Sequence, residues 1–325
     1  DLDPFYSPNP DTPDGLPWVR SGRFNSGNLI DDKELEKLSR DVQALTLAYF
    51  FTDDEGYAKH AAFLLRHWFI DPATAMNPNA NHGRIKPGIS DTGFPVERMT
   101  LTGRSKFVQL IEMAGILERS PAWSTANKRA LQQWSSDFLQ WMETSKPGIK
   151  ERQFKNNHGT TYDLLAALLS SYVEDNARTR GHVRRFRDRI AVQIAPDGSQ
   201  PEEMRRTNNY RYHFFNLKGA LYIATLADRV GVDVRYHETA DGRSLSKALE
   251  FLMPYASSEE DWPFYPKGVQ PIKKAMIFGV YRRAASGYGD PAYEDVAQSV
   301  GGDHAADIHN LSSVSYTHLR AHETY

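Results

Sequence analysis

The chain has 325 residues, 40% of them hydrophobic, which is enough to bury one large core or two ordinary ones and excludes a disordered chain. The formal net charge of -2 hides an uneven distribution, because Arg178 to Arg189 carries six arginines and Arg205, Arg206 and Arg211 follow. Cysteine is absent, which rules out a disulfide framework and thiolate chemistry, and no apolar run is long enough to span a membrane.

The chain opens at Asp1-Leu2-Asp3-Pro4 without a methionine or an apolar leader, as a trimmed chain destined for a secreted or periplasmic location would. Residues 1–31 are rich in proline, glycine, asparagine and aspartate and read as irregular. From Asp32 to Phe51, Leu35, Leu38, Val42, Leu45 and Ala48 recur at helical spacing. Tyr57 to Phe69 repeats the pattern through Ala61, Leu64, Leu65 and Trp68, with Asp53 as its expected cap. Residues 70–95 then form a long loop, read as a binding loop or lid, or alternatively as a structural crossover. Asn79, Asn81, His82 and Arg84 equip it to bind a polyhydroxylated anion, and Arg98 joins them at the start of the next helix.

Further helices are predicted over Arg98 to Leu117, Thr125 to Thr144, Thr160 to Val173 and Val183 to Ile194. Asn209 to Val230, with Gly231 as its stop, Leu245 to Tyr255 and Ile272 to Ala285 complete the set. In the helix from Thr125, the residues Leu131, Trp134, Phe138, Trp141 and Met142 face inward. Strand signals are few. Helical hairpins of roughly 40 to 55 residues without a sequence repeat point to a bundle, a solenoid or an (α/α) toroid.

Two polar clusters fall at helix entries. Asn156-Asn157-His158-Gly159-Thr160-Thr161-Tyr162-Asp163 leads into the apolar run Leu164 to Val173, and the turn Pro196 to Glu203 precedes Arg206, Asn208, Asn209, Tyr210, Tyr212, His213 and Asn216. Arg206 and Tyr212 are six residues apart, so an irregular turn must bring them together. Jointly these groups suit one reaction. Asn157, His158 and Arg206 can neutralise a carboxylate and so ease removal of the proton on the neighbouring carbon. Tyr212 can take that proton, since an adjacent Arg206 favours the phenolate of a group whose ordinary pKa is near 10, and can then return it to the leaving oxygen. Taken singly, each residue also has a structural reading: Asn156 as a helix cap, His158 as a satisfied core histidine, Tyr212 as a packed ring with a wet hydroxyl.

The segment Asn156 to Asp163 resembles the signature of the alginate lyase superfamily of (α/α) toroids, which includes polysaccharide lyase families five and thirty-eight. Phe69 to Asn79, Gln193 to Pro201, and Arg206-Thr207 followed by Tyr212 and Phe215-Asn216-Leu217 resemble further blocks of that superfamily in the expected order, so the resemblance runs from about Asp32 to Tyr293. It implies an all-α, incomplete (α/α) toroid of about five to seven helical hairpins, and a lyase that needs no cofactor and no metal. Carried over, it makes Asn157 and His158 neutralising groups, Arg206 the carboxylate binder and Tyr212 the base and acid. Asn156, Tyr162, His213 and Asn216 join Asn79, Asn81, His82, Arg84 and Arg98 as substrate-binding candidates. In family five the tyrosine follows the arginine by seven residues, whereas here the gap is six and His213 occupies the seventh position, which makes His213 the rival proton-transfer group and fits family thirty-eight better.

In mannuronate and glucuronate the C5 proton and the C4 oxygen lie on one side of the ring, so one tyrosine can serve both. The expected reaction is therefore syn β-elimination from a β-1,4-linked polyuronate, polymannuronate or glucuronan. The alternatives are a toroid glycoside hydrolase using Asp163 with Glu202 or Glu203, and a noncatalytic polyuronate-binding protein. An acidic polysaccharide is the expected partner. The arginines come with no recognised nucleic-acid module, and the arginine run has a second reading as a solvated helix face. Val314 to Thr324 resembles a translated sequencing-library adapter, so one lyase domain over residues 1–313 and a non-native tail over 314–325 are expected, with His318 and His322 an accidental metal-like pair.

Overall fold

Apolar spacing accounts for most of the helices in the computed structural model, which describes residues 1–83, 85–89, 105–258, 262–264, 272 and 274–300. Arg84, Arg98 and the expected tail lie outside these residues. The chain divides into two compact units, Asp1–Phe154 with Leu168–Asn176, and Lys155–Ala167 with Ala177–Tyr325.

The first unit opens with a short antiparallel ladder between β1 (Tyr6–Ser7) and β2 (Val19–Arg20), in the register Tyr6 to Arg20 and Ser7 to Val19. Helices α1 (Ile30–Thr52), α2 (Glu55–Phe69), α3 (Ser105–Leu117), α4 (Thr125–Thr144) and α5 (Lys146–Arg152) follow. The expected cap of α2 moves by one residue. Asp53 ends α1 in the left-handed conformation, with φ 53, and Asp54 caps α2 by accepting the N–H of Gly56 at 2.8 Å. On α1 the buried stripe runs through Leu35, Leu38 and Val42 but then takes Thr46 and Tyr49, leaving Leu45 and Ala48 half-buried.

An aromatic cluster holds this unit together. The Trp134 ring lies 4.7 Å from Phe69 and 5.0 Å from Phe138. Its indole N–H donates to the Met76 carbonyl at 2.8 Å, and Trp141, half-buried, donates to Asn81 Oδ1 at 3.0 Å. Helix α5 lies between the helices expected from the sequence and contains Pro147 and Gly148. Ser145 caps it, proline is tolerated in a first helical turn, and a Cβ on Gly148 would sit 2.0 Å from the Met142 carbonyl oxygen.

The second unit contains the start of α6 (Asn157–Tyr172), then α7 (Asn176–Gln193), α8 (Pro201–Met204), α9 (Asn209–Arg229), α10 (Leu245–Leu252), α11 (Lys274–Tyr288) and α12 (Pro291–Ser299). Helix α10 stops before the one-turn Met253–Tyr255, where Pro254 cannot continue the ladder, and Gly231, at φ 69, follows α9 as expected. Helix α12 was missed, although Asp290 caps it and Pro291 sits in its first turn. Helix α7 begins at Asn176 rather than Val183, because Thr179 and His182 extend the buried stripe of Val183, Phe186 and Ile190.

The arginine run of α7 is partly internal. Asp163 on α6 is fully buried and receives Arg185 Nε at 2.7 Å and Arg189 Nε at 2.8 Å. A carboxylate out of water needs such partners, because burying an unpaired charge costs several kcal/mol, of the order of ~5. Beyond it, His213 packs edge-to-face on Trp262, with ring centroids 5.3 Å apart. Its Nδ1 is 2.7 Å from the Asn209 carbonyl and so carries the hydrogen, while Nε2 accepts the Gln200 N–H at 3.3 Å. Burial pushes the imidazole down to about 4, against the opposing hydrogen bond from Asn209.

Two outcomes follow for stability. Asp163→Asn is expected to lose about 3 kcal/mol in urea unfolding, because the buried Arg189 and the half-buried Arg185 lose their counter-charge; a loss under about 1 kcal/mol would show the pairing to be dispensable. For His213 the unfolded chain binds a proton near 6.5 and the folded chain only near 4. Its contribution is therefore present above the unfolded value and is lost as pH falls through that window, by roughly 3 kcal/mol. His213→Gln should flatten that acid limb, measured as unfolding free energy against pH.

Candidate active site

The first turn of α6 positions half of the candidate residues. Asn156 precedes the helix and accepts the N–H of His158 through Oδ1 at 3.1 Å, an N-terminal cap. Asn157 turns inward. Its Nδ2 donates to Glu203 Oε1 at 3.0 Å and Oε2 at 2.8 Å, and its backbone N–H also donates to Oε1. Asn157 and Glu203 are each 1% exposed, and Asn157 Oδ1 is buried without a hydrogen-bond partner among the described residues. His158 is buried beside it.

The other half comes from the turn before α8 and the turn after it. Asp197 Oδ1 accepts the Ser199 N–H at 2.9 Å, and Gly198 between them holds φ 89, where a Cβ would lie 2.3 Å from the Lys247 carbonyl oxygen; only glycine fits. Pro201 then opens α8, which carries Glu203 into the interior. Arg206 lies in the turn between α8 and α9, its N–H on the Glu203 carbonyl at 3.0 Å, and Asn208 caps α9 by accepting the Arg211 N–H at 3.3 Å. That turn closes the six-residue gap: the Arg206 guanidinium sits 4.0 Å from the centroid of the Tyr212 ring, and both side chains are half-buried.

Electrostatics centre on Glu203. Burial raises its carboxyl above the usual range, while the Asn157 donors, Arg206 and His158 oppose the rise. The second unit thus brings Asn157, His158 and Arg206 to one buried carboxyl, with the Tyr212 ring against Arg206.

A buried amide network braces this group. Gln193 Nε2 donates to the Asn156 carbonyl at 2.9 Å and Gln193 Oε1 accepts Thr160 Oγ1 at 3.0 Å, while Asn216 Nδ2 donates to Gln200 Oε1 at 2.8 Å. Gln200 also bonds both ends of His213. His213 and Asn216, expected against the substrate, are enclosed in this network. Tyr162 is likewise fully buried, with the Arg185 guanidinium 5.2 Å from its ring centroid. In the first unit, Asn79 Oδ1 accepts the Asn81 N–H at 3.2 Å, Asn81 is held by Trp141, and His82 is exposed.

The paired carboxylates of a hydrolase are not free for that work. Asp163 is held by two arginines, Glu203 by Asn157, and Glu202 pairs with Arg205 at 2.6 Å on the surface. Gln193, Gln200 and the role of Glu203 as the partner of Asn157 escaped the sequence reading. Its one available signal was Glu203 preceding Arg206 by three residues across a short turn.

The alginate lyase family model matches residues 2–262. The crystal structure of an alginate lyase from Bacteroides ovatus superposes with a TM-score of 0.88 at 30% identity, over 96% of this chain and 83% of that one. Alginate lyase A1-III, as a His-to-Ala variant, matches in its apo form with a TM-score of 0.59 at 17% identity, over 84% of this chain and 73% of that one. The same variant complexed with a tetrasaccharide gives 0.58 at 17%, over 93% and 82%, and at that identity the likeness is one of fold. No curated protein matches the chain. The fold class is accordingly the all-α, incomplete (α/α) toroid expected from the sequence, and the enzyme is a polysaccharide lyase. A matched span of that length, together with a relative of that identity and coverage, means that the chain belongs to the alginate lyase family.

Proposed function

We propose that this lyase cleaves a β-1,4-linked polyuronate, polymannuronate or glucuronan, by syn β-elimination, and that one domain over residues 1–313 does so in a secreted or periplasmic setting. The observation that carries the reading is the Arg206 guanidinium 4.0 Å over the Tyr212 ring, with Asn157 and His158 gathered around the same buried carboxyl. The uronate carboxylate docks on Arg206 and His158, with the Asn157 amide beside them, which makes the C5 proton acidic. Tyr212 as phenolate removes that proton, the electron pair of the C5–H bond becomes the C4–C5 double bond, the C4–O bond breaks, and the tyrosine proton passes to the leaving oxygen. One residue serves both transfers because proton and leaving oxygen share a face of the ring.

His213 is set aside as the base: it is neutral, buried and bonded through both nitrogens. With Asn216 and Tyr162 it braces the site. Asn79, Asn81, His82, Arg84 and Arg98 are proposed, from their residue types, to supply hydrogen-bonding and cationic groups for a polyhydroxylated anion. The alginate lyase A1-III relative complexed with a tetrasaccharide supports an oligosaccharide ligand.

A panel of polymannuronate, polyguluronate, glucuronan and a glycosaminoglycan, read by the ultraviolet absorbance of the unsaturated product, should show turnover on the first or the third. New reducing ends without that absorbance would mean hydrolysis instead. Tyr212→Phe is expected to lower turnover by about 10²–10⁴-fold while keeping polymer binding, and His158→Ala and Arg206→Ala to lose most activity. A Tyr212→Phe chain that degrades polymer at the parent rate would remove the proposed base, and one whose parent binds without degrading would indicate a noncatalytic binder. The pH optimum should be neutral to mildly alkaline; a peak at about pH 4 would point to carboxylate chemistry.

A further inference from the structure

Three buried amides, Gln193, Gln200 and Asn216, can be satisfied together in one orientation only. Gln193, the last residue of α7, turns Nε2 to the Asn156 carbonyl at 2.9 Å, and Gln200, in the turn before α8, turns Nε2 to the His213 carbonyl at 3.3 Å. A main-chain carbonyl only accepts, so both glutamines must point their NH2 ends at the backbone, which leaves both Oε1 atoms for the third amide. Asn216 Nδ2 meets them, 2.8 Å from Gln200 Oε1 and 3.3 Å from Gln193 Oε1. Turning Asn216 over would set its own oxygen against two others. The orientation is kept although Asn216 Oδ1 is thereby buried with no hydrogen-bond partner among the described residues, a cost to stability.

This relay runs from one half of the site to the other. At one end Gln193 holds the first turn of α6, through the Asn156 carbonyl and through the Thr160 hydroxyl at 3.0 Å, and Asn157 and His158 stand on that turn. At the other end Gln200 grips the residue that follows Tyr212, donating its N–H to His213 Nε2 at 3.3 Å as well as its amide to the His213 carbonyl. Three residues beyond Asn216 on α9, a Cβ on Gly219 would lie 3.1 Å from Thr160 Cγ2, so α6 and α9 are in close contact there.

We propose that Asn216 is a positioning residue for the elimination: anchored on α6 through Gln193, it holds Tyr212 in place through Gln200. Asn216 does not touch the sugar. Its donor is the middle link of a chain in which each amide fixes the orientation of the next, and that chain sets the distance from the groups that neutralise the uronate to the phenol that takes the proton. Proton transfer is sensitive to that distance, since a displacement of about 1 Å can cost about 10²-fold in rate. The inference rests on the proposed function, which gives Tyr212, Asn157 and His158 those roles.

The test uses the full chain on polymannuronate and glucuronan, read by the absorbance of the unsaturated product, with thermal unfolding to show that each variant is folded at the assay temperature. Asn216→Asp keeps the shape of the side chain and replaces its donor by an acceptor. It should lower kcat by about 10–100-fold and leave KM within about twofold, the pattern of a lost transition-state geometry and not of a lost substrate contact. In a Tyr212→Phe background the same change should alter the residual turnover by less than about twofold, because no phenol is left to position. A purely structural role would cost the same in both backgrounds. Three results overturn the proposal and leave the lyase reading standing: a kcat within about twofold of the parent, a raised KM at unchanged kcat, or a loss that recurs in full with Tyr212→Phe. If Asn216→Asp is unfolded at the assay temperature, Gln200→Glu, which removes the side-chain donor to the His213 carbonyl, is judged by the same measures; unfolding of both variants shows that the relay holds the fold and not the phenol, and overturns the proposal as well. A parent chain that forms no unsaturated product on either polymer removes the lyase reading together with the inference.

Discussion

A carboxylate withdrawn from water must be given hydrogens, and the second unit is organised around supplying them to Glu203. Asn157 provides them from its backbone N–H and from its side-chain amide, whose Nδ2 lies against both oxygens, so the helix that carries the signature segment is tied at its first residue to the short helix α8. The requirement reaches further along the chain. Holding Glu203 in that place requires the Gly198 turn and Pro201 upstream, and the same helix delivers Arg206 to the ring of Tyr212 downstream. The positions of the cation and the phenol therefore follow from the burial of an acid that is neither of them.

A second buried carboxyl shows the other solution to the same problem. Asp163 is satisfied by guanidinium groups from α7 rather than by an amide. Glu203 is satisfied by the neutral donors of Asn157, and burial raises its carboxyl above the usual range against the opposition of those donors, Arg206 and His158. Two acids of similar burial are thus satisfied in different ways, one by counter-ions in contact and the other by dipoles.

Helical period made most of the fold legible. The residues of α4 read out almost without error, because leucine, tryptophan and phenylalanine mark its inner face. Helix α7 was read short, because threonine and histidine filled core positions that an apolar count ignores, and α5 and α12 were passed over although proline in a first turn with a capping residue before it is a start signal. At the site, the meeting of Arg206 with Tyr212 was legible only as a requirement for a turn. The amides Gln193 and Gln200 were illegible, since an amide carries no periodic signature and its value lies in partners tens of residues away. Arg184 and Arg187 on the same run as Arg185 show the limit of reading charge: sequence gives the cations but not which of them faces inward.

The loop that follows α2 in the first unit has a consequence of another kind. Its backbone is gripped at Met76 by the indole of Trp134 and its side chain at Asn81 by the indole of Trp141, two residues seven apart on one helix. Such a loop is not a separable cassette. Transplanted alone into a related scaffold it would leave both indoles behind, so recombination between homologues should break more cleanly at the ends of a block running from the loop through α4 than at the borders of the loop itself.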